Sequence, residues 1–175
     1  MNKFFSFFVS AAVLATSGMA QSIAPGASVQ FHSTQNPSAN LCLGAVAGTQ
    51  QSELLLEPCT RSLTTFKLPN GAPLNATQIQ LVDSQTGPGQ PQPLLCITAR
   101  EAQAGNTPVI LQTCDADDLL QGWRVNDGKG TGEIESTAPI MAAVCLTAVG
   151  SNQGDPVEFR NCTGAASQQW TTVVV

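Results

Sequence analysis

The chain has 175 residues, of which twelve are acidic and seven basic, for a net charge of −5. An acidic chain with no basic run repels phosphate backbones and anionic lipid, which argues against nucleic acid or a membrane surface as partner. One histidine, no C-x-x-C pair and no G-x-S-x-G leave neither a zinc spacing nor a nucleophilic set, so no metal, no cofactor and no enzyme activity are expected.

Residues 1–20, MNKFFSFFVSAAVLATSGMA, carry Lys3, a largely apolar run from Phe4 to Leu14 and a small-x-small end at Gly18-Met19-Ala20. That is the pattern of a secretory signal, and the run is shorter than the ~20 residues of a membrane span. The mature chain is expected to start at Gln21 and to be an extracellular monomer. Residues 21–175 have the length of one domain, enough to bury a core.

In chain order, the first strand-like run is SVQFH (28–32), in which His32 lies on the face opposite Phe31 and reads as solvated. LCLG (41–44) and ELLLEPC (53–59) follow, then TTFKL (64–68). The pattern recurs as IQLV (79–82), LCIT (95–98), PVILQTC (108–114) and QGWRV (121–125). It recurs again as GEIES (132–136), VCLT (144–147), PVEFRNC (156–162) and QQWTT (168–172). Pro69–Thr77 and Asp127–Gly132 read as linkers. The glycine- and proline-rich SQTGPGQPQP at 84–93 cannot hold a ladder and reads as an exposed loop. No window of helical length keeps a 3.6 period without Pro or Gly. Three repeats of four short strands, at about 28–69, 79–127 and 132–174, suit a closed all-β architecture.

All six cysteines fall in the exported part, and an even count in an oxidising compartment reads as three disulfides. Paired in sequence order, Cys42–Cys59, Cys96–Cys114 and Cys145–Cys162 enclose sixteen, seventeen and sixteen residues. Each such link, closing a loop of about 17 residues, contributes ~3 kcal/mol by limiting the unfolded chain.

Evenly spaced cysteine pairs with Gln121-Gly122-Trp123 and Gln168-Gln169-Trp170 in register resemble the ricin B-type lectin family over roughly residues 28–174. The first repeat departs from its Q-x-W pattern with Thr64-Thr65-Phe66. The resemblance implies a β-trefoil of three four-stranded repeats with one disulfide in each. Phe66, Trp123 and Trp170 then plug the core, each indole removing on the order of 150–250 Å² from water. The Gln two residues earlier lies on the same side of a strand, where its amide can serve backbone groups of the preceding loop.

Galactose-type binding in such lectins implies an Asp two residues after the first cysteine, an aromatic two before the second and an Asn before Q-x-W. Here these positions hold Gly44, Glu57 and Leu63, then Thr98, Gln112 and Leu120, then Thr147, Arg160 and Ser167. None retains the pattern. After the signal, the aromatics are Phe31, Phe66, Trp123, Phe159 and Trp170, all on expected strands, so a stacking ring requires Phe31 or Phe159 to face outward. The remaining candidates for a hydrogen-bonded sugar site are Thr147, Glu158, Arg160, Ser167 and Gln168 in the third repeat, and Thr98, Gln112 and Gln121 in the second. The expected function is therefore carbohydrate binding through a divergent site. The alternative is a trefoil that binds an extracellular protein, as a protease inhibitor or secreted effector, through loops such as 84–93.

Other clusters read blandly. Asp115-Ala116-Asp117-Asp118 lacks the alternating ligands and glycine of a calcium loop and reads as a solvated turn. Glu133 and Glu135 share a strand face at a spacing a glycosidase pair could use, with nothing to place a sugar between them. Asn75-Ala76-Thr77 fits an N-glycosylation site, whereas Asn161-Cys162-Thr163 has its middle residue committed to a disulfide. Peptide mapping without reduction is expected to recover Cys42–Cys59, Cys96–Cys114 and Cys145–Cys162; any other link breaks the repeat assignment.

Overall fold

The structure is a computed structural model and describes residues 21–83, 93–100, 107–139 and 143–175. Its first repeat consists of β1 (Ala27–Ser33), β2 (Leu41–Ala45), β3 (Leu54–Pro58) and β4 (Phe66–Leu68). The second holds β5 (Gln80–Leu81), β6 (Leu95–Ala99), β7 (Thr107–Thr113) and β8 (Trp123–Val125). After a short β9 (Thr131–Gly132), the third holds β10 (Ile134–Ser136), β11 (Val144–Ala148), β12 (Val157–Asn161) and β13 (Trp170–Val174). β9 lies in what reads from sequence as a linker. It pairs with β13 through Gly132 and Thr131, so this linker is part of the sheet. The loop expected at 84–93 falls, except for Pro93, outside the described residues.

The outer strands of the repeats close a barrel. β1 pairs with both β13 and β4, β4 with β5, and β8 with β10. Thr77, just before β5, bridges to Trp123, and β9, just before β10, joins β13. Closure removes the open edges that invite strand addition. The inner strands form hairpins β2–β3, β6–β7 and β11–β12 of five residue pairs each. Glu53–Ile110, Leu55–Pro156 and Glu158–Pro108 pairings tie each hairpin to another. Equivalent positions follow from the ladders, which set His32 opposite Cys42, Gln80 opposite Cys96 and Glu135 opposite Cys145. This is the β-trefoil.

Every residue of β2, β6 and β11 is buried, which explains the apolar frame around each first cysteine. One face lies on the core. The other lies under the disulfide and the loop that follows the second cysteine. The three bridges are formed as spaced, with Cα separations of 5.0, 4.9 and 5.1 Å. Gly71, at φ +70°, lets the chain after β4 pass so close to Ile23 that a Cβ would overlap the Ile23 carbonyl. Ile23 and Ala72 exchange backbone hydrogen bonds there, docking the segment before β1.

Phe31, Phe66, Trp123 and Phe159 are wholly buried and Trp170 is 1% exposed, so neither Phe31 nor Phe159 faces outward. Trp123 meets Phe159 edge-on at 6.1 Å, and Phe66 packs on Phe31 at the same centroid distance. The indole Nε1 of Trp123 donates to the Ile97 carbonyl (2.9 Å), and that of Trp170 to Leu146 (3.0 Å). Each acceptor follows the first cysteine of its own repeat, so a buried polar ring atom ties barrel to hairpin. Phe66 fills the same place without a donor. Replacing Trp123→Phe is thus expected to keep the fold and to lower stability by about 1–3 kcal/mol, the cost of an orphaned buried partner, as read by urea unfolding. An unchanged midpoint would show the hydrogen bond to be idle.

Candidate functional site

The glutamines of Q-x-W do not lie on strands. Gln121 and Gln168 end 3-10 turns at Leu119–Gln121 and Ala166–Gln168, and Thr64 ends the equivalent turn Ser62–Thr64. The chain must reverse between the second cysteine and the barrel strand, and a tight turn closed by Gln121 N–H to Asp118 (3.0 Å) or Gln168 N–H to Ala165 (2.9 Å) does so. From there Gln121 Nε2 donates to the Thr113 carbonyl (2.9 Å), and its Oε1 accepts from Asp115 N–H (2.9 Å). Gln168 repeats this with the Asn161 carbonyl (2.7 Å) and Thr163 N–H (2.7 Å).

A second polar residue fastens each of these loops, and sequence reasoning missed it. Gln78 Nε2 donates to the Asp115 carbonyl (2.9 Å) and to Gln121 Oε1 (3.2 Å). Glu133 Oε1 accepts from Gly164 N–H (3.0 Å). In the first repeat, where Thr64 replaces the glutamine, Gln30 Nε2 reaches the Cys59 carbonyl (2.7 Å) and Thr64 Oγ1 (3.0 Å). Gln30, Gln78 and Glu133 are equivalent by register. A polar residue twelve positions before the first cysteine in repeats one and three was the available signal, but the second repeat is six longer there.

The expected site is the outer face of each hairpin. Register places Gly44, Leu55 and Glu57 on that face in the first repeat, Thr98, Ile110 and Gln112 in the second, and Thr147, Glu158 and Arg160 in the third. Thr98, Gln121, Thr147 and Gln168 are at most 3% exposed and internally satisfied. The Thr98 and Thr147 hydroxyls donate to the carbonyls of Cys96 and Cys145, and Gln168 Nε2 donates to Thr147 Oγ1 at 3.0 Å. These four sequence candidates are therefore parts of the skeleton. Gln112 and Ser167 are half-buried, as are Glu158 and Arg160. Arg160 Nε and Nη2 both meet Glu158 Oε2, at 2.8 and 2.7 Å. With the arginine side chain 39% exposed, the pair contributes little stability, about 0–1 kcal/mol, and serves to orient two charged groups.

The remaining clusters have local roles. Asp115 Oδ1 accepts from Asp117 N–H, and Asp118 Oδ1 caps the following turn through Leu120 N–H. Glu135 pairs with Arg124 at 3.7 Å while Glu133 holds Gly164, so the two carboxylates serve different neighbours. His32, Cys42 and Cys59 are clustered, as are Glu133, Cys145 and Cys162, but their sulfurs are joined in disulfides and offer no thiolate. Asn75 is exposed on the turn before β5, whereas Thr77 of the same triplet is buried.

Three pseudo-equivalent hairpins, each stapled by a disulfide and locked through a buried ring, define a β-trefoil of lectin type. Residues 88–174 match the family model of the ricin-type beta-trefoil lectin domain. The matched stretch takes in β6 to β13, and the first repeat has the same fold. No curated protein matches the sequence. Among solved structures the chain is similar to the designed threefold-symmetric protein ThreeFoil, with a TM-score of 0.66 and 12% identity over 85% of this chain and 99% of that one. It is similar to a Polyporus squamosus lectin bound to Neu5Aca2-6Galb1-4GlcNAc, with a TM-score of 0.60 and 14% identity over 85% of this chain and 49% of the lectin. The Abrus precatorius agglutinin gives a TM-score of 0.58 and 14% identity over 93% of this chain and 51% of the agglutinin. The chain thus spans about half the length of both plant and fungal neighbours.

His32 departs from its sequence reading. It is half-buried, its Nδ1 lies 3.5 Å from Cys59 Sγ, and its Nε2 is buried without a hydrogen-bond partner among the described residues. Burial holds its pKa below the ordinary 6.5, because the imidazolium loses hydration. As pH falls below that value the unfolded chain takes the proton first, so stability present above it is lost down to the folded pKa. His32→Gln is expected to flatten this slope, checked by comparing urea midpoints at about pH 7 and about pH 5 in both proteins.

Proposed function

We propose that this is a secreted, non-enzymatic carbohydrate-binding module whose ligand is held by hydrogen bonds on the third repeat's hairpin, at Glu158, Arg160 and Ser167. One observation carries this reading. Opposite the second residue after the first cysteine, the three hairpins present Leu55, Ile110 and Glu158, so only the third offers a polar group there. The carboxylate accepts from sugar hydroxyls, and the Arg160 fork supplies donors beside it. The family match and the sugar bound to the Polyporus squamosus lectin support a glycan as the ligand class. No aromatic among the described residues is exposed, so the ligand is held without ring stacking.

That same burial of every described ring favours a second reading, a protein-binding trefoil that uses its variable loops. A glycan array separates the two. Binding that is lost in Arg160→Ala and in Glu158→Gln, with unfolding midpoints unchanged, is the expected outcome. An array with no bound glycan overturns the first reading, and inhibition of a protease panel is then the measurement for the second.

A further inference from the structure

A cleft of about 240 Å³ opens on the second repeat, away from the hairpin face, between the turn preceding β5 and the loop that follows Cys114. Its walls include Asn70, Gln78, Asp118, Leu119, Gly122 and Thr137. From these residues we infer a second ligand site, for a neutral polyhydroxylated molecule of monosaccharide size. Glu158, Arg160 and Ser167 take no part in it, and of the sequence candidates only Gln121 borders it, with its amide committed to the loop.

Three side chains that carry acceptors line this space, two of them already held in place by hydrogen bonds. Asn70 Nδ2 donates to the Ala76 carbonyl (2.9 Å), which fixes the amide and leaves Oδ1 unused among the described residues. Asp118 Oδ1 accepts from Leu120 N–H (2.9 Å), leaving the second carboxylate oxygen. The Thr137 hydroxyl takes part in no hydrogen bond among the described residues, while its backbone N–H is fixed to the Gly122 carbonyl (2.9 Å). Gln78, clamped to Asp115 and Gln121, forms a rigid wall. Acceptors held in this way suit a ligand that brings several hydroxyl donors, since less side-chain entropy is lost on binding. No lysine or arginine lines the cleft, which disfavours phosphates and carboxylates. Leu119, 56% exposed, supplies the apolar wall on which the C–H face of a sugar ring can rest. The volume lies below the roughly 300–1,000 Å³ of drug-sized sites and admits a single ring.

One residue shapes this opening. The middle of Q-x-W is Gly122 here, where the other repeats carry Thr65 and Gln169. A Cβ at Gly122 would overlap Thr137 Oγ1, so the missing side chain is what lets that hydroxyl sit at the cleft wall.

Titrating the protein with glucose, galactose, mannose and N-acetylglucosamine, followed by amide NMR, tests the assignment. At least one sugar is expected to shift the signals of Gln78, Asp118 and Gly122. Gly122→Gln is expected to abolish these shifts. Asp118→Asn, which keeps an oxygen for Leu120 N–H, and Thr137→Val are each expected to weaken binding about tenfold. Arg160→Ala is expected to leave the shifts unchanged, so this site and the hairpin site stand or fall separately. No shift at these amides with any of the sugars overturns the proposal. So do shifts that survive both Asp118→Asn and Thr137→Val, or shifts produced by an alkyl diamine and by none of the sugars.

Discussion

The fold depends on satisfying the backbone of three loops that would otherwise be open. Between each second cysteine and its barrel strand the chain turns back over a fully buried strand, and carbonyl and amide groups there have no sheet partner. Side-chain amides and a carboxylate bond them instead: Gln121 and Gln78 in the second repeat, Gln168 and Glu133 in the third, Gln30 with Thr64 in the first. Leaving such a group unpaired costs about 1–3 kcal/mol, which is large against the stability of a small protein. Once the loops are fastened, each ring enters the barrel at a fixed angle, and the indoles reach across to the hairpins. Disulfides and barrel closure hold the same loops and strands from other points.

Much of this was legible in the chain. The repeat period, the cysteine pairing and all twelve repeat strands are local in origin: apolar frames, alternation and turn residues at short range. Trp123 and Trp170 as core plugs followed from the family resemblance and from the area an indole buries. The 3-10 turns were not legible, because Leu119–Gln121 and Ala166–Gln168 carry no strong turn residue and are shaped by the loop they close. Nor was the interior location of Thr98, Thr147, Gln121 and Gln168. Polar type suggests exposure, and only the structure shows that the two hydroxyls point at backbone; the bonds of the glutamine amides to the preceding loop were legible, but as made from a strand rather than a turn. The half-burial of His32 against Cys59 likewise arises between segments distant in sequence.

This division bears on where a ligand can be held. Residues that answer the fold pattern are enclosed, whereas Glu158 and Arg160 of the proposed hairpin site are only half-buried and bond chiefly to each other. If the proposed site holds a ligand, its choice rests on positions whose exchange costs the fold little.

The amide of Gln30 has a consequence for how such proteins are traced. In the first repeat the short Thr64 hydroxyl of the turn reaches the Cys59 and Arg61 carbonyls, and the amide that fastens the loop is that of Gln30 in β1, the register equivalent of Gln78 and Glu133. A pattern that scores residues by position finds its glutamine in the second and third repeats and not in the first, and the family match begins at residue 88, inside the second repeat. Fastening of the loop is common to all three repeats and survives a change of residue that erases resemblance along the sequence.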